Sequence, residues 1–141
     1  MQKLITQTGE TLMTMVLPPT RMIVQNLIPQ GLHILGGAPK VGKSWLTLWL
    51  CLQVAKGESA WNRPTEKGTV LYLSLEDSFN RIQNRLFDLT DEIIPNVHFA
   101  VMAGSIAGDL IKQIEDFLGN IPIPTSLQLT HSSRCVPSAA N

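Results

Sequence analysis

The run Gly37-Ala38-Pro39-Lys40-Val41-Gly42-Lys43-Ser44 sits between two apolar stretches, residues 32–35 before it and 44–56 after it. That order constrains the fold more than any other part of the chain. The spacing fits G-x-x-x-x-G-K-[ST]. Its glycines let the backbone curl so that successive N–H groups face inward, and a helix beginning at its end adds a positive terminus. Such a cradle takes phosphate oxygens. Lys43 is spaced to reach β- and γ-phosphates, and the Ser44 hydroxyl to coordinate Mg²⁺. The eight residues are therefore candidate nucleotide-binding residues, with ATP or ADP and Mg²⁺ as the expected ligands. Taken without context, the same spacing is a glycine-rich turn before an ordinary helix. The apolar strand before it and the apolar helix after it decide against that.

Residues 31–118 alternate in the manner of an α/β domain. Residues 32–35 are a short apolar strand, and 44–56 a buried helix ended by Gly57. Residues 69–75 are a second strand, led in by a turn at Lys67-Gly68. Ser78 caps a helix with Phe79, Ile82, Leu86 and Leu89 near one face. Residues 97–101 are a third strand. Residues 109–118 are a third helix, apolar at Leu110, Ile111, Ile114, Phe117 and Leu118 and stopped by Gly119. Strands joined through crossover helices pair in parallel. The expected fold class is α/β, a P-loop domain with a parallel sheet flanked by helices. Residues 1–30 form an approach segment broken by Pro18, Pro19 and Pro29. Within it Met22-Ile23-Val24 and Leu27-Ile28 are expected against a core edge. Residues 119–141 carry Arg134 as their one charge, are dense in Ser, Thr and Pro, and show no period.

Composition narrows the function classes. The chain has 141 residues, 44% hydrophobic and 16% charged, against about 25% charged for an average soluble domain. Charge-driven disorder is excluded. Eleven basic residues balance eleven acidic ones, so a bulk electrostatic footprint for nucleic acid is absent, although a local patch is left open. Cys51 and Cys135 make no disulfide framework, and His33, His98 and His131 make no metal set with them. The longest apolar stretch, 45–55, is too short to span a bilayer, and the first 17 residues lack a signal peptide's apolar region. The expectation is a cytoplasmic protein without membrane contact.

Glu76-Asp77 directly follows the second strand. Ligands of open α/β sheets sit beyond the carboxyl ends of strands. A carboxylate there can orient, or take a proton from, a water attacking a γ-phosphate, which makes Glu76 the candidate catalytic residue. Asp77 is assigned to helix capping or to support of Glu76. Trp45 and Trp49, four apart, are expected in the core rather than as a platform for bases. Arg81 and Arg85, also four apart, fit a solvated face better than a phosphate, subunit or nucleic-acid contact. His33 is expected at the core edge.

The run Ile28-Pro29-Gln30-Gly31-Leu32-His33-Ile34-Leu35-Gly36-Gly37-Ala38-Pro39-Lys40-Val41-Gly42-Lys43-Ser44-Trp45 resembles the first segment of RecA-like AAA-type ATPases of the plasmid RepA kind. These are hexameric replicative helicases and related prophage proteins. The run Gly68-Thr69-Val70-Leu71-Tyr72-Leu73-Ser74-Leu75-Glu76-Asp77-Ser78, followed by Arg81 and Arg85-Leu86, is similar to the next segment of that family. The likeness spans residues 20–118. It implies that Lys43 and Ser44 hold ATP and Mg²⁺ and that Glu76 is the catalytic carboxylate. It also implies a homo-oligomeric ring whose neighbours share the ATP site, and single-stranded DNA as a partner of the intact family protein. The family continues with its Walker B element, an apolar strand ending in Asp, and with further strands, a sensor residue and nucleic-acid loops. This sequence has no counterpart of these. The expected chain is thus an approach segment (1–30), the N-terminal part of a RecA-like ATPase domain (31–118), incomplete without the Walker B strand and C-terminal half, and an aberrant tail (119–141). The expected function is that of an ATP-binding fragment of a DNA motor ATPase, inactive in hydrolysis alone. One alternative is a nucleotide-binding regulatory protein without turnover. Another is a P-loop kinase of a small substrate, which needs an arginine-bearing lid and an acceptor site. ATP hydrolysis with and without single-stranded DNA separates them.

The tail loses charge, period and family pattern together, where the Walker B strand is due. A frameshift does that, against the alternative of a genuine short product with a flexible terminus, and an out-of-frame tail is expected to be disordered or loosely attached and to carry no site. Joining the third base of each codon to the first two of the next permits four apolar residues from Thr125/Ser126 to Gln128/Leu129. The codons of Leu129/Thr130 then permit Asp, and the following ones Thr, Phe or Leu, and Gln. That is a buried strand delivering a carboxylate to Mg²⁺. The gene is expected to encode Asp in the shifted frame across the Leu129/Thr130 codons, and sequencing it is the check: any other residue there ends the frameshift reading.

Overall fold

Val70-Leu71-Tyr72-Leu73-Ser74 has no charged face, and a strand of that kind has to be covered on both sides. The computed structural model describes residues 4–74, 76–101, 109–120 and 129–130. Its elements run α1 (Gly9–Thr14), β1 (Met22–Val24), β2 (Ile28–Pro29), α2 (Lys43–Lys56), β3 (Val70–Ser74), α3 (Phe79–Leu89), β4 (Val97–Val101), α4 (Asp109–Gly119) and β5 (Leu129–Thr130). The main sheet has the order β4-β3-β5, with both pairings parallel. β3 meets β4 in register from Val70 opposite Val97 to Ser74 opposite Val101.

One face of the sheet packs on α2 and α3. Leu48, Cys51, Leu52, Val54 and Ala55 of α2 are buried and join Val70, Tyr72, Val97 and Ile82 in a single cluster, with Leu86, Leu89 and Phe99 packed against it. The rings of Tyr72 and Phe99 lie 5.7 Å apart. Successive residues of a strand face opposite sides, so His98 lies on the other face. Its ring meets Phe117 of α4 edge-on at 5.1 Å. Burial pushes the Tyr72 hydroxyl up to about 12, with Cys51 adding to the rise and Arg85 opposing it.

α2 stops where the sequence says it must. Gly57 adopts φ +75°, the Glu58 N–H donates to Gln53 O at 2.9 Å, and the Gly57 N–H donates to Val54 O at 3.2 Å. Asn96 Nδ2 donates to Ala55 O at 2.7 Å and to Gly68 O at 2.8 Å. The end of α2 is thereby fastened beside the start of β3. The helix runs antiparallel to the strand, and its N-terminus arrives at the strand's carboxyl end.

Several elements match the expected ones: α2, β3, α3 with Ser78 as its cap, β4 and α4. The expected strand at residues 32–35 does not form. Leu32 is 93% and Ile34 90% exposed, and the segment is extended chain without sheet pairing. The physical reason is that a strand persists through a partner's hydrogen bonds. β4 and β5 take both edges of β3, so the central strand offers residues 32–35 no edge to pair with. His33 is accordingly exposed and not at a core edge, its Nε2–H donating to Pro29 O at 2.7 Å.

The approach segment has structure of its own. β1 and β2 form an antiparallel hairpin, turned through Asn26 at φ +55°. Ile23 and Val24 are buried as expected, whereas Leu27 is half exposed. The hairpin is stitched to residues 63–66: Gln25 N–H donates to Pro64 O and Glu66 N–H to Ile23 O, each at 2.9 Å. Arg21 Nε donates to both carboxylate oxygens of Glu66 at 2.7 and 2.8 Å, and this hydrogen bonding holds the Glu66 carboxyl below its ordinary value. A depressed carboxyl contributes stability above its unfolded pKa and loses it as pH falls through the folded one. α1, capped by Thr8, buries none of its residues. The expectation of a disordered tail is corrected at Leu129 and Thr130, which pair in parallel with Leu71 and Tyr72 as β5 because that edge of β3 is otherwise open among the described residues; the rest of the tail beyond Asn120 lies outside them. No helix among the described residues is long and apolar enough to cross a membrane.

A side chain at Gly57 has to adopt a left-handed backbone, and its Cβ would stand 2.9 Å from Lys67 Cβ. Gly57→Ala should therefore cost about 2 kcal/mol or more in urea unfolding. Gly9 has open space around it, and Gly9→Ala should change stability by less than about 0.5 kcal/mol. Equal midpoints for the two variants would contradict this account of the α2 stop.

Candidate phosphate-binding site

The loop 37–44 leaves residues 37–41 exposed and turns through Lys40 at φ +64° and Gly42 at φ +92°. Gly42 is the residue before α2 and offers no side-chain cap, and the helix has no acidic residue in its first turn. The Leu46 N–H donates to Gly42 O at 2.9 Å, so the intrahelical bonding starts there. The earlier amides of the turn point out of the helix, as those of any first turn do. They lie on the positive end of a 14-residue helix, where an anion is favoured.

Lys43 turns back over the loop. Its Nζ donates to Gly37 O at 2.8 Å and to Ala38 O at 2.6 Å. A Cβ on Gly37 would make ordinary van der Waals contact with Val41 Cγ2 at 3.4 Å and Lys43 Cδ at 3.6 Å. Ser44 follows, half-buried. The Thr47 hydroxyl donates to Lys43 O at 2.8 Å and steadies the first turn. The donor set is an uncapped helix start, an ammonium already within the loop and a hydroxyl beside it. It fits a polyphosphate with its Mg²⁺.

At the carboxyl end of β3 the two carboxylates separate. Glu76 is exposed. Asp77 is turned inward, its side chain 11% exposed, and accepts from Arg85 Nη1 at 2.6 Å and Arg81 Nη1 at 3.2 Å. The Asp77 N–H donates to Ser74 Oγ at 3.2 Å, and Ser78 Oγ accepts from the Arg81 N–H to cap α3. The Arg85 guanidinium carbon also lies 5.7 Å from the centre of the Trp45 ring. One side chain thus touches the neighbour of Ser44 and the neighbour of Glu76.

Two expectations are corrected here. Arg85 is not on a solvated face: its side chain is 17% exposed because Asp77 and Trp45 enclose it. Arg81 does face solvent, at 65%. Trp45 is not a core residue but is 40% exposed, since it lies on the side of α2 that turns toward α3 and not toward the sheet. Trp49 is half-buried, edge-on to Trp61 at 5.0 Å. The Asp77 contact of Arg85 is legible in the four-residue spacing of Asp77, just before the Ser78 cap, and Arg81 and Arg85 on α3; its contact with Trp45 is not. Among the described residues no group of three His, Cys, Asp or Glu side chains forms a metal site.

A family model described as an AAA domain matches residues 3–119. Neither the curated proteins nor the solved structures contain a match to the chain.

The two bonds from Lys43 tie the strand side of the loop to α2. Lys43→Met removes both, at about 0.5 kcal/mol or more each for exposed charge-assisted bonds. Amide exchange across residues 36–42 of the ligand-free protein should then quicken by about fivefold. Unchanged exchange would mean that the lysine does not hold the loop.

Proposed function

The chain belongs to the AAA domain family, and on that premise we propose that it binds ATP or ADP with Mg²⁺ at residues 37–44 as the nucleotide-binding part of a RecA-like DNA motor. The observation that carries the reading is the uncapped start of α2 with Lys43 Nζ held 2.6–2.8 Å from two loop carbonyls. An ammonium in that position can exchange its carbonyl partners for phosphate oxygens. The amides of the first turn then take the remaining oxygens, and the Ser44 hydroxyl is the candidate ligand for Mg²⁺. Bound Mg²⁺ neutralises charge on the β- and γ-phosphates. Glu76, exposed at the strand's carboxyl end, is the candidate group to orient water or take its proton.

The narrower reading, a plasmid RepA-like replication helicase, draws on the likeness of residues 28–45 and 68–86 to that family. Under it the working unit is a ring, with single-stranded DNA as the partner of the intact protein. One observation favours low turnover for this chain by itself. Asp77, the other carboxylate at this strand end, is occupied by Arg81 and Arg85 and does not supply a second acidic group to the metal. A nucleotide-binding regulatory subunit without turnover is therefore the second reading, and it shares the same site.

Calorimetry with Mg-ADP is expected to give saturable binding, weakened more than about tenfold by Lys43→Ala, the scale of one lost charge-assisted contact. Equal affinity for the two proteins would remove the basis for this site. ATP hydrolysis by the isolated chain is expected at background, with or without single-stranded DNA. Turnover that Glu76→Gln abolishes would instead make the chain an ATPase in its own right.

A further inference from the structure

The turn that carries Glu76 is fixed at several points. Ser74 Oγ accepts from the Asp77 N–H, the Asp77 carboxylate accepts from Arg85 and Arg81, and Ser78 caps α3. Of these, the Arg85 contact alone also reaches α2, because its guanidinium carbon lies over the Trp45 ring, 5.7 Å from its centre, on the residue after Ser44. The Asp77–Arg85 pair is no surface ion pair: its side chains are 11% and 17% exposed. Taking two charges that far out of water returns little net stability. What it supplies is geometry, since a planar guanidinium can bond a carboxylate at its edge and stack on an aromatic ring with its face.

We propose that Arg85 is a positioning residue that couples the phosphate loop to the turn bearing Glu76. The inference rests on the nucleotide-binding reading of residues 37–44. A polyphosphate that draws Lys43 and the first turn of α2 toward itself moves Trp45 with them. Arg85 follows the ring and carries Asp77, so that Glu76 is set when the loop is filled. The residues on the line are Ser44-Trp45, Arg85 and Asp77-Glu76, and each step is a contact already named. Arg81 touches Asp77 from the solvent side and has no part in the link to α2.

Hydrogen exchange of the full chain with and without Mg-ADP tests this. In the wild type Mg-ADP is expected to slow exchange both in the loop (37–44) and in the turn (76–79), the latter by about threefold or more. In Arg85→Ala the loop should still be protected and the turn should not. Arg85→Lys should restore part of the turn protection, because lysine keeps the charge but not the flat, forked group. Asp77→Asn keeps the size of the side chain and should also uncouple the turn. It serves as the readout if Arg85→Ala fails to fold. Turn protection that persists in both Arg85→Ala and Asp77→Asn, or a turn that ignores Mg-ADP in the wild type while the loop responds, overturns the coupling and leaves the binding site standing. A wild-type loop that is not protected at all overturns the binding site and the coupling together.

Discussion

β3 is buried from both sides, and the rest of the described structure follows from covering it. Its one face needs α2 and α3, and the other takes α4 through β4. The chain between α2 and β3 comes back beside the helix end, where the Gly68 N–H donates to Val54 O, so the helix runs against the strand. Asn96 fixes that return by joining Ala55 O to Gly68 O. The consequence is electrostatic. The N-terminus of α2 is delivered to the same end of the sheet as Glu76 and Asp77, so the positive end of a helix and two carboxylates share one edge. Left unmanaged, the carboxylates would compete with any phosphate for that field. One of them is turned away and neutralised by two guanidinium groups.

The two adjacent acidic residues are thereby placed in different surroundings. A carboxylate held by Arg85 and Arg81 cannot orient water, but it can hold the backbone on which the next carboxylate stands. Glu76 and Asp77 are neighbours of like charge in the sequence. They differ because the pleat of β3 and the start of α3 send one side chain outward and the other toward Arg85. Neither periodicity nor the phosphate-loop motif distinguishes them.

What could be read from the residues divides along the same physical line. Helix α2, strands β3 and β4 and helix α3 announce themselves through local signals: an apolar period, Gly57 at a left-handed stop, Ser78 at a cap. Each also has a partner in this chain, so expectation and structure agree. Residues 32–35 carry an equally apolar local signal, yet strand formation depends on a neighbour, and β3 has no edge left for them. The converse holds for Arg85, whose ring partner comes from residue 45, a separation that no local pattern spans. α1 was missed because its signal is one Thr8 cap and a single turn and a half of helix with nothing packed upon it.

The loop itself shows how much of a phosphate site depends on the helix and how little on the strand. Its exit side is set by α2, whose buried residues Leu48, Cys51 and Leu52 anchor the first turn from below. Its approach side follows an unpaired, exposed segment, and there Lys43 does the holding by bonding Gly37 O and Ala38 O. The residue proposed to bind phosphate is therefore also the one that ties the loop in the structure. A phosphate that attracts Lys43 withdraws both carbonyl bonds at once, and the approach side has then to be held by the phosphate itself. Loop order and ligand binding are one equilibrium in such an arrangement. Any device that reports occupancy to the rest of the molecule must read it from the first turn of α2, which is where Trp45 and Arg85 meet.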